Sequence, residues 1–153
     1  MGLDMYLNKK SYVRNWDHQT AEEKHQITVK KGGKARKDIQ PKRISYITEQ
    51  VAYWRKFNAL HAWFVQNCQG GVDECQESYV SIEKLEELLA ALEQVITDKN
   101  SATKVLPTQG GFFFGGTDYD DYYFQEVKDT IKILKGLLKE DGKDCDFYYQ
   151  ASW

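Results

Sequence analysis

The chain has 153 residues, a length that suits one domain able to bury a real core. Its formal charge of −2 and isoelectric point near 5.9 argue against a general nucleic-acid binder. No run of about 18 apolar residues occurs, so no membrane span is expected.

The charge is unevenly spread. Residues 1–43 hold eleven Lys/Arg against five Asp/Glu, whereas residues 44–153 hold ten against eighteen. Such a chain can offer a basic face to an acidic partner, or turn its basic segment on its own acidic helices. The opening MGLDMYLNKK has an early acid and too short an apolar run for a signal peptide. Three cysteines, Cys68, Cys75 and Cys145, are an odd count. Without an export signal they read as reduced thiols in a cytosolic setting.

Leu3–Leu7 alternates and predicts a strand with Leu3, Met5 and Leu7 inward. Tyr12–Asp17 reads as a second short strand or a loop. Thr20 and Glu23 have capping-box spacing and predict a very short helix. His25–Lys30 then reads as a strand, Lys31-Gly-Gly-Lys as a turn and Ala35–Gln40 as the returning strand. Lys34, Arg36 and Lys37 lie in a stretch with a single acid, Asp38, between residues 30 and 43. They are either lysines guarding an exposed edge or a basic face that reaches a nucleic acid or an acidic protein. No aromatic interleaves them, which weakens the case for stacking on single strands.

Ile44–Cys68 predicts one long helix through the middle of the domain. At 100° per residue, Val51, Trp54, Phe57, Leu60, Phe64 and Val65 share one half of the cylinder. Small residues on the back, Ala52, Ala59 and Ala62, suit a helix packed on both sides. His61 and Asn58 fall within the apolar arc, and burying either unpaired costs roughly 1–3 kcal/mol. They are either a satisfied core histidine and a tethering amide, or part of a pocket with Tyr53 and Arg55. In such a pocket Arg55 and Lys56 would meet an anion.

Val72–Tyr79 reads as an acidic loop or short helix. His61, Cys68 and Cys75 lack a CxxC pair and make a poor metal set. Ser81 caps a strongly amphipathic helix in which Ile82, Leu85, Leu88, Leu89, Leu92 and Val95 recur at spacings of three and four. Asp98–Ala102 is a loop. In Leu106–Asp121, glycine pairs bracket Phe112–Phe114, which predicts a strand between tight turns. Thr117 or Asp118 would cap a helix to about Lys139, buried along Tyr123, Val127, Ile131, Leu134 and Leu138. Asp118, Asp120 and Asp121 stabilise that helix start and oppose a phosphate there unless a metal intervenes. The stretch is neither a P-loop nor a dinucleotide fingerprint. The rim Thr117, Asp118, Tyr119 and Asp120 is the other candidate ligand-binding surface. Gly142 is expected to end the helix, and Cys145–Trp153 predicts a final strand beside Leu3–Leu7.

MGLDMYL, YWRKFNALHAWFV, LPTQGGFFFGGTDYDDYYF and YYQASW together resemble a family of small proteins of tailed phages and prophages, over nearly the full length. The resemblance implies a phage accessory protein acting in the bacterial cytoplasm. Such proteins often block or redirect host machinery or sequester host signals. It carries over no functional residues.

The expected fold is α+β in a single domain: a mostly antiparallel sheet including both termini and a basic hairpin, packed with three main helices. The expected function is a binding module that inhibits or sequesters a host protein or a small nucleotide-like signal, possessing no cofactor and no metal. Two alternatives compete. One is a small nucleotide hydrolase with His61 as acid/base, Arg55 on an anion and Asp118 with Asp120 on a metal. The other is a nucleic-acid accessory factor using the 30–43 hairpin.

Overall fold

The computed structural model of the protein describes residues 2–140 and 144–153. Its centre is strand β1 (Asp4–Tyr12), whose alternation buries Leu3, Met5 and Leu7 completely on one face. On one side β1 pairs antiparallel with β6 (Cys145–Ser152), on the other with β4 (Tyr46–Arg55). A short β5 (Ser78–Val80) continues the sheet beyond β6, giving the order β4-β1-β6-β5, antiparallel throughout. The fold is therefore α+β, and the strands from the two chain ends are its middle pair. The basic hairpin, β2 (Lys30–Lys31) and β3 (Lys34–Ala35), forms a separate two-stranded ladder. Gly32 and Gly33 join it with φ of 57° and 79°, the double left-handed turn that glycine accepts without a Cβ clash.

The predicted Ile44–Cys68 helix is a strand followed by a helix. Tyr46–Arg55 is β4, and only Asn58–Cys68 is helical, as α1. The physical reason lies in a bulge. Asn8 pairs with Gln50 and Leu7 with Ala52, so Val51 is the extra residue. That insertion breaks the two-residue alternation of YITEQVAYWR and makes its apolar positions pass for a helical arc. The β-branched and aromatic residues of the stretch nonetheless fit a pleated surface.

Helix α2 (Ile82–Thr97) begins as expected, with the Ser81 hydroxyl accepting from the Lys84 amide. Leu85, Leu88, Leu92 and Val95 are fully buried, while Ile82 stays exposed. The predicted loop Asp98–Ala102 is a 3-10 turn at Lys99–Ser101 running into a one-turn helix α3 (Ala102–Val105). Helix α4 (Asp121–Lys139) packs against α2. Its cap is Asp120, not Thr117 or Asp118: the Asp120 carboxylate accepts from the Tyr123 amide at 3.0 Å. The helices cover the face of the sheet that carries Leu3, Met5, Leu7, Trp54, Phe147 and Tyr149. Each such fully buried side chain contributes roughly 1.5–3 kcal/mol.

Other local expectations differ. Thr20 starts a turn rather than a helix; its amide donates to the Glu23 carboxylate, but the Glu23 amide closes on the Thr20 carbonyl. His25–Val29 is not extended into the ladder, and β3 stops at Ala35. Phe112–Phe114 is a turn in a long loop, not a strand. Gly142 lies outside the described residues.

Candidate functional site

Strand β4 ends at Arg55, and Lys56 then takes a φ of +57°, a left-handed conformation unusual for a side-chain-bearing residue. Its amide still donates to the Leu3 carbonyl at 2.8 Å. This turn swings the chain off the sheet edge and straight into α1, so that Arg55, Lys56 and Asn58 arrive at one place. Gly115, with φ +83°, packs on the turn; a Cβ there would lie 3.1 Å from the Lys56 Cβ.

Asn58 is buried and fully used. Its amide nitrogen donates to the carbonyls of Phe114 at 3.0 Å and Gly116 at 2.7 Å. Its oxygen accepts from the Gln109 amide at 2.9 Å. Three hydrogen bonds from one side chain thus fasten the glycine-rich loop to the start of α1. Within the loop, Thr108 holds the far limb: its amide donates to the Tyr119 hydroxyl and its hydroxyl to the Thr117 carbonyl. The Leu3 amide ties the loop tip to β1 through the Phe113 carbonyl.

Between this loop, the end of β4 and the start of α4 lies a cleft of 310 Å³. Arg55, Lys56 and Asn58 line it together with Asp118, Asp120 and Glu126. Tyr122, largely exposed, stands at the rim. Two cations and three acids therefore share its lining. Asp120 is occupied as a helix cap, and Arg55 contacts Asp4 at 3.5 Å and the Tyr53 hydroxyl beside it. Among the described residues, neither Lys56 nor Glu126 has an ion-pair partner. Burial, and then the carboxylate of Asp129, push the Glu126 carboxyl above its ordinary range.

His61 sits elsewhere, buried and answered on both nitrogens. Its Nδ1 is 2.7 Å from the Tyr149 hydroxyl and its Nε2 2.8 Å from an Asp73 carboxylate oxygen. The Trp153 indole N–H donates to the other Asp73 oxygen at 3.1 Å. Burial holds the Tyr149 hydroxyl protonated far above its ordinary range, and that hydroxyl and the Asp73 carboxylate together engage both ring nitrogens. A smaller cavity of 170 Å³ borders His61 and Asp73, separate from the Arg55 cleft.

Four predicted site residues, Arg55, Asn58, Asp118 and Asp120, thus meet in one cleft. Tyr119 braces the loop behind it through the Thr108 amide, and Thr117 supplies a carbonyl to the same brace. Tyr53 points to the outer face of the sheet, against Tyr6, with its hydroxyl on Asp4. The hydrolase alternative needs His61 beside Arg55, and the two line different cavities. Lys34 and Lys37 are exposed, while Arg36 is held by both oxygens of Asp38 at 2.8 and 2.5 Å. Among the described residues no group of three or more His, Cys, Asp or Glu side chains is arranged to hold a metal ion, and no helix is long and apolar enough to cross a membrane.

Glu126, Gln109 and Thr108 were not signalled by the sequence as site residues. Glu126 stands one turn after the Tyr122–Tyr123 pair on α4, a position that marks it only once the cleft is known. Asp73, Tyr149 and Trp153 carried no sequence signal as partners of His61. Comparison with known protein families, characterised proteins and solved structures finds no match for this chain.

Proposed function

We propose that the protein is a phage accessory protein, acting in the bacterial cytoplasm, that captures a small nucleotide-like signal of its host in the Arg55–Glu126 cleft and sequesters it. The observation that carries this reading is the gathering of Arg55, Lys56 and Glu126, the last two without an ion-pair partner among the described residues, around one cleft of 310 Å³. That volume is at the lower end of small-molecule sites. Arg55 offers a planar fork and Lys56 a point charge, a combination suited to a phosphate. The half-buried Glu126 carboxyl suits the amino or ring N–H donors of a base. Tyr122 and Phe57 supply aromatic surface beside them.

Binding rather than turnover fits the placement of His61. The base that a hydrolase would need is enclosed, with both ring nitrogens engaged away from the cations.

The test is capture from host lysate on immobilised protein, with mass analysis of both the small-molecule and protein fractions. A phosphate-bearing small molecule retained by the wild-type chain and lost in Arg55→Ala supports the reading. Retention of nothing in either fraction opposes it.

A further inference from the structure

The sheet has a second face, and the helices leave it bare. Along β1 it carries Tyr6, Asn8, Lys10 and Tyr12; register places Tyr53, Gln50 and Tyr46 of β4, and Gln150 and Tyr148 of β6, alongside them. Tyr79 of β5 completes it, opposite Tyr148. Tyr46 and Tyr79, on the two edge strands, are 48% and 56% exposed.

One row of this face is continuous across all four strands. The Trp16 indole N–H donates to the Tyr12 hydroxyl at 3.0 Å, and Tyr12 meets Tyr46 edge-on at 5.2 Å. The Lys10 ammonium lies 5.0 Å from the Tyr46 ring and 5.6 Å from the Tyr148 ring. Tyr148 meets Tyr79 at 6.0 Å. At the Trp16 end the Arg14 guanidinium stacks on the indole at 4.7 Å. From that end the chain runs through the basic hairpin and returns at Tyr46.

We propose that this tyrosine row is a binding platform for single-stranded nucleic acid, with the residue 14–43 segment as its electrostatic partner. Exposed aromatic faces accept bases without regard to sequence, and cations between and beside them meet the backbone phosphates. Charge complementarity selects this occupant over a protein surface. Segment 14–43 holds nine Lys/Arg against four Asp/Glu. Among acids on the face itself, Asp146 lies across from Lys10, and Asp4 is engaged by Tyr53 and Arg55. The hairpin alone lacks aromatics, and the sheet supplies them. The platform is distinct from the Arg55–Glu126 cleft and stands or falls apart from it.

The test is fluorescence anisotropy with a labelled oligothymidylate of about 12 nucleotides, at low salt and then across a salt series. Tyr46→Ala and Tyr79→Ala are the variants, because both side chains are exposed on edge strands. Tyr46→Phe and Tyr79→Phe keep the ring and remove the hydroxyl. The expected result is binding that weakens steeply with salt, falls about 5- to 100-fold in each alanine variant, and survives in the phenylalanine variants. Circular dichroism checks that each variant is folded. Absence of binding at low salt overturns the proposal. So does binding that the alanine variants leave unchanged, which would move any contact to the basic segment alone.

Discussion

His61 and Asp73, twelve residues apart in sequence, meet at 2.8 Å, and through them the C-terminal Trp153 is joined to the core of the sheet by way of Tyr149. The imidazole is the middle link of a chain of hydrogen bonds from a buried phenol to a partly exposed carboxylate. Removing it leaves the buried Tyr149 hydroxyl without its partner and Asp73 with the Trp153 indole alone among the described residues. His61→Ala is therefore expected to destabilise the fold by about 2–4 kcal/mol, and Tyr149→Phe by about 1–2 kcal/mol. Urea unfolding of both singles and the double variant measures this. The double should cost less than the sum of the singles, because the two changes remove one shared hydrogen bond.

Asn58 holds the loop that forms the cleft. Asn58→Ala loses three hydrogen bonds and should cost about 2–3 kcal/mol. Asn58→Asp should be no better, since a carboxylate cannot donate to the two carbonyls. Hydrogen exchange locates the effect: amides of residues 108–117 should lose protection before those of β1 do.

Lys56 and Gly115 separate stability from binding. Lys56→Gly relieves a left-handed φ and is expected to raise stability by about 0.5–1 kcal/mol while weakening capture of an anionic ligand. Gly115→Ala should do the reverse to stability, costing about 1–2 kcal/mol, because a Cβ meets both an unfavourable φ of +83° and the Lys56 side chain at 3.1 Å. Thermal unfolding of the two variants checks the opposite signs.

Glu126 gives a pH signature. Its carboxyl titrates above the ordinary range in the folded protein, through burial first and Asp129 second. A raised folded pKa makes its contribution to stability fully present below the unfolded pKa, and that contribution is lost as pH rises through the folded value. Glu126→Gln cannot undergo this loss. The variant should match the wild-type melting temperature near pH 4 and exceed it by about 1–2 °C near pH 7. Equal melting temperatures at both pH values would remove Glu126 as a strained acid of the cleft.

The sequence made the sheet ends and the helix faces readable for physical reasons that are local. Leu3, Met5 and Leu7 alternate without interruption, and Ser81 with the leucines of α2 states both a cap and a period. The middle of the chain departs from its helical pattern because its two decisive features leave no local mark. The bulge at Val51 shifts the period of β4, and the break into α1 falls on Lys56, where neither glycine nor proline announces a turn. The glycine that makes room for that turn is some sixty residues away, at Gly115. The cleft is partly legible in the sequence, since Arg55 and Asn58 stand out beside the apolar arc and Asp118 and Asp120 at a helix start. What joined them was the Asn58 amide reaching across 56 residues to the Phe114 carbonyl, a contact only tertiary structure supplies. The outer tyrosine row was invisible for a similar reason: its members come from four strands and one loop.

The most direct measurement is release of bound small molecules by heat from protein expressed in bacterial host cells, followed by mass spectrometry, for the wild type beside Arg55→Ala. The account predicts a phosphate-bearing molecule in near-stoichiometric amount from the wild type and its loss from the variant, with both chains equally folded. An identical small-molecule profile from the two proteins, or none from the wild type, would contradict it.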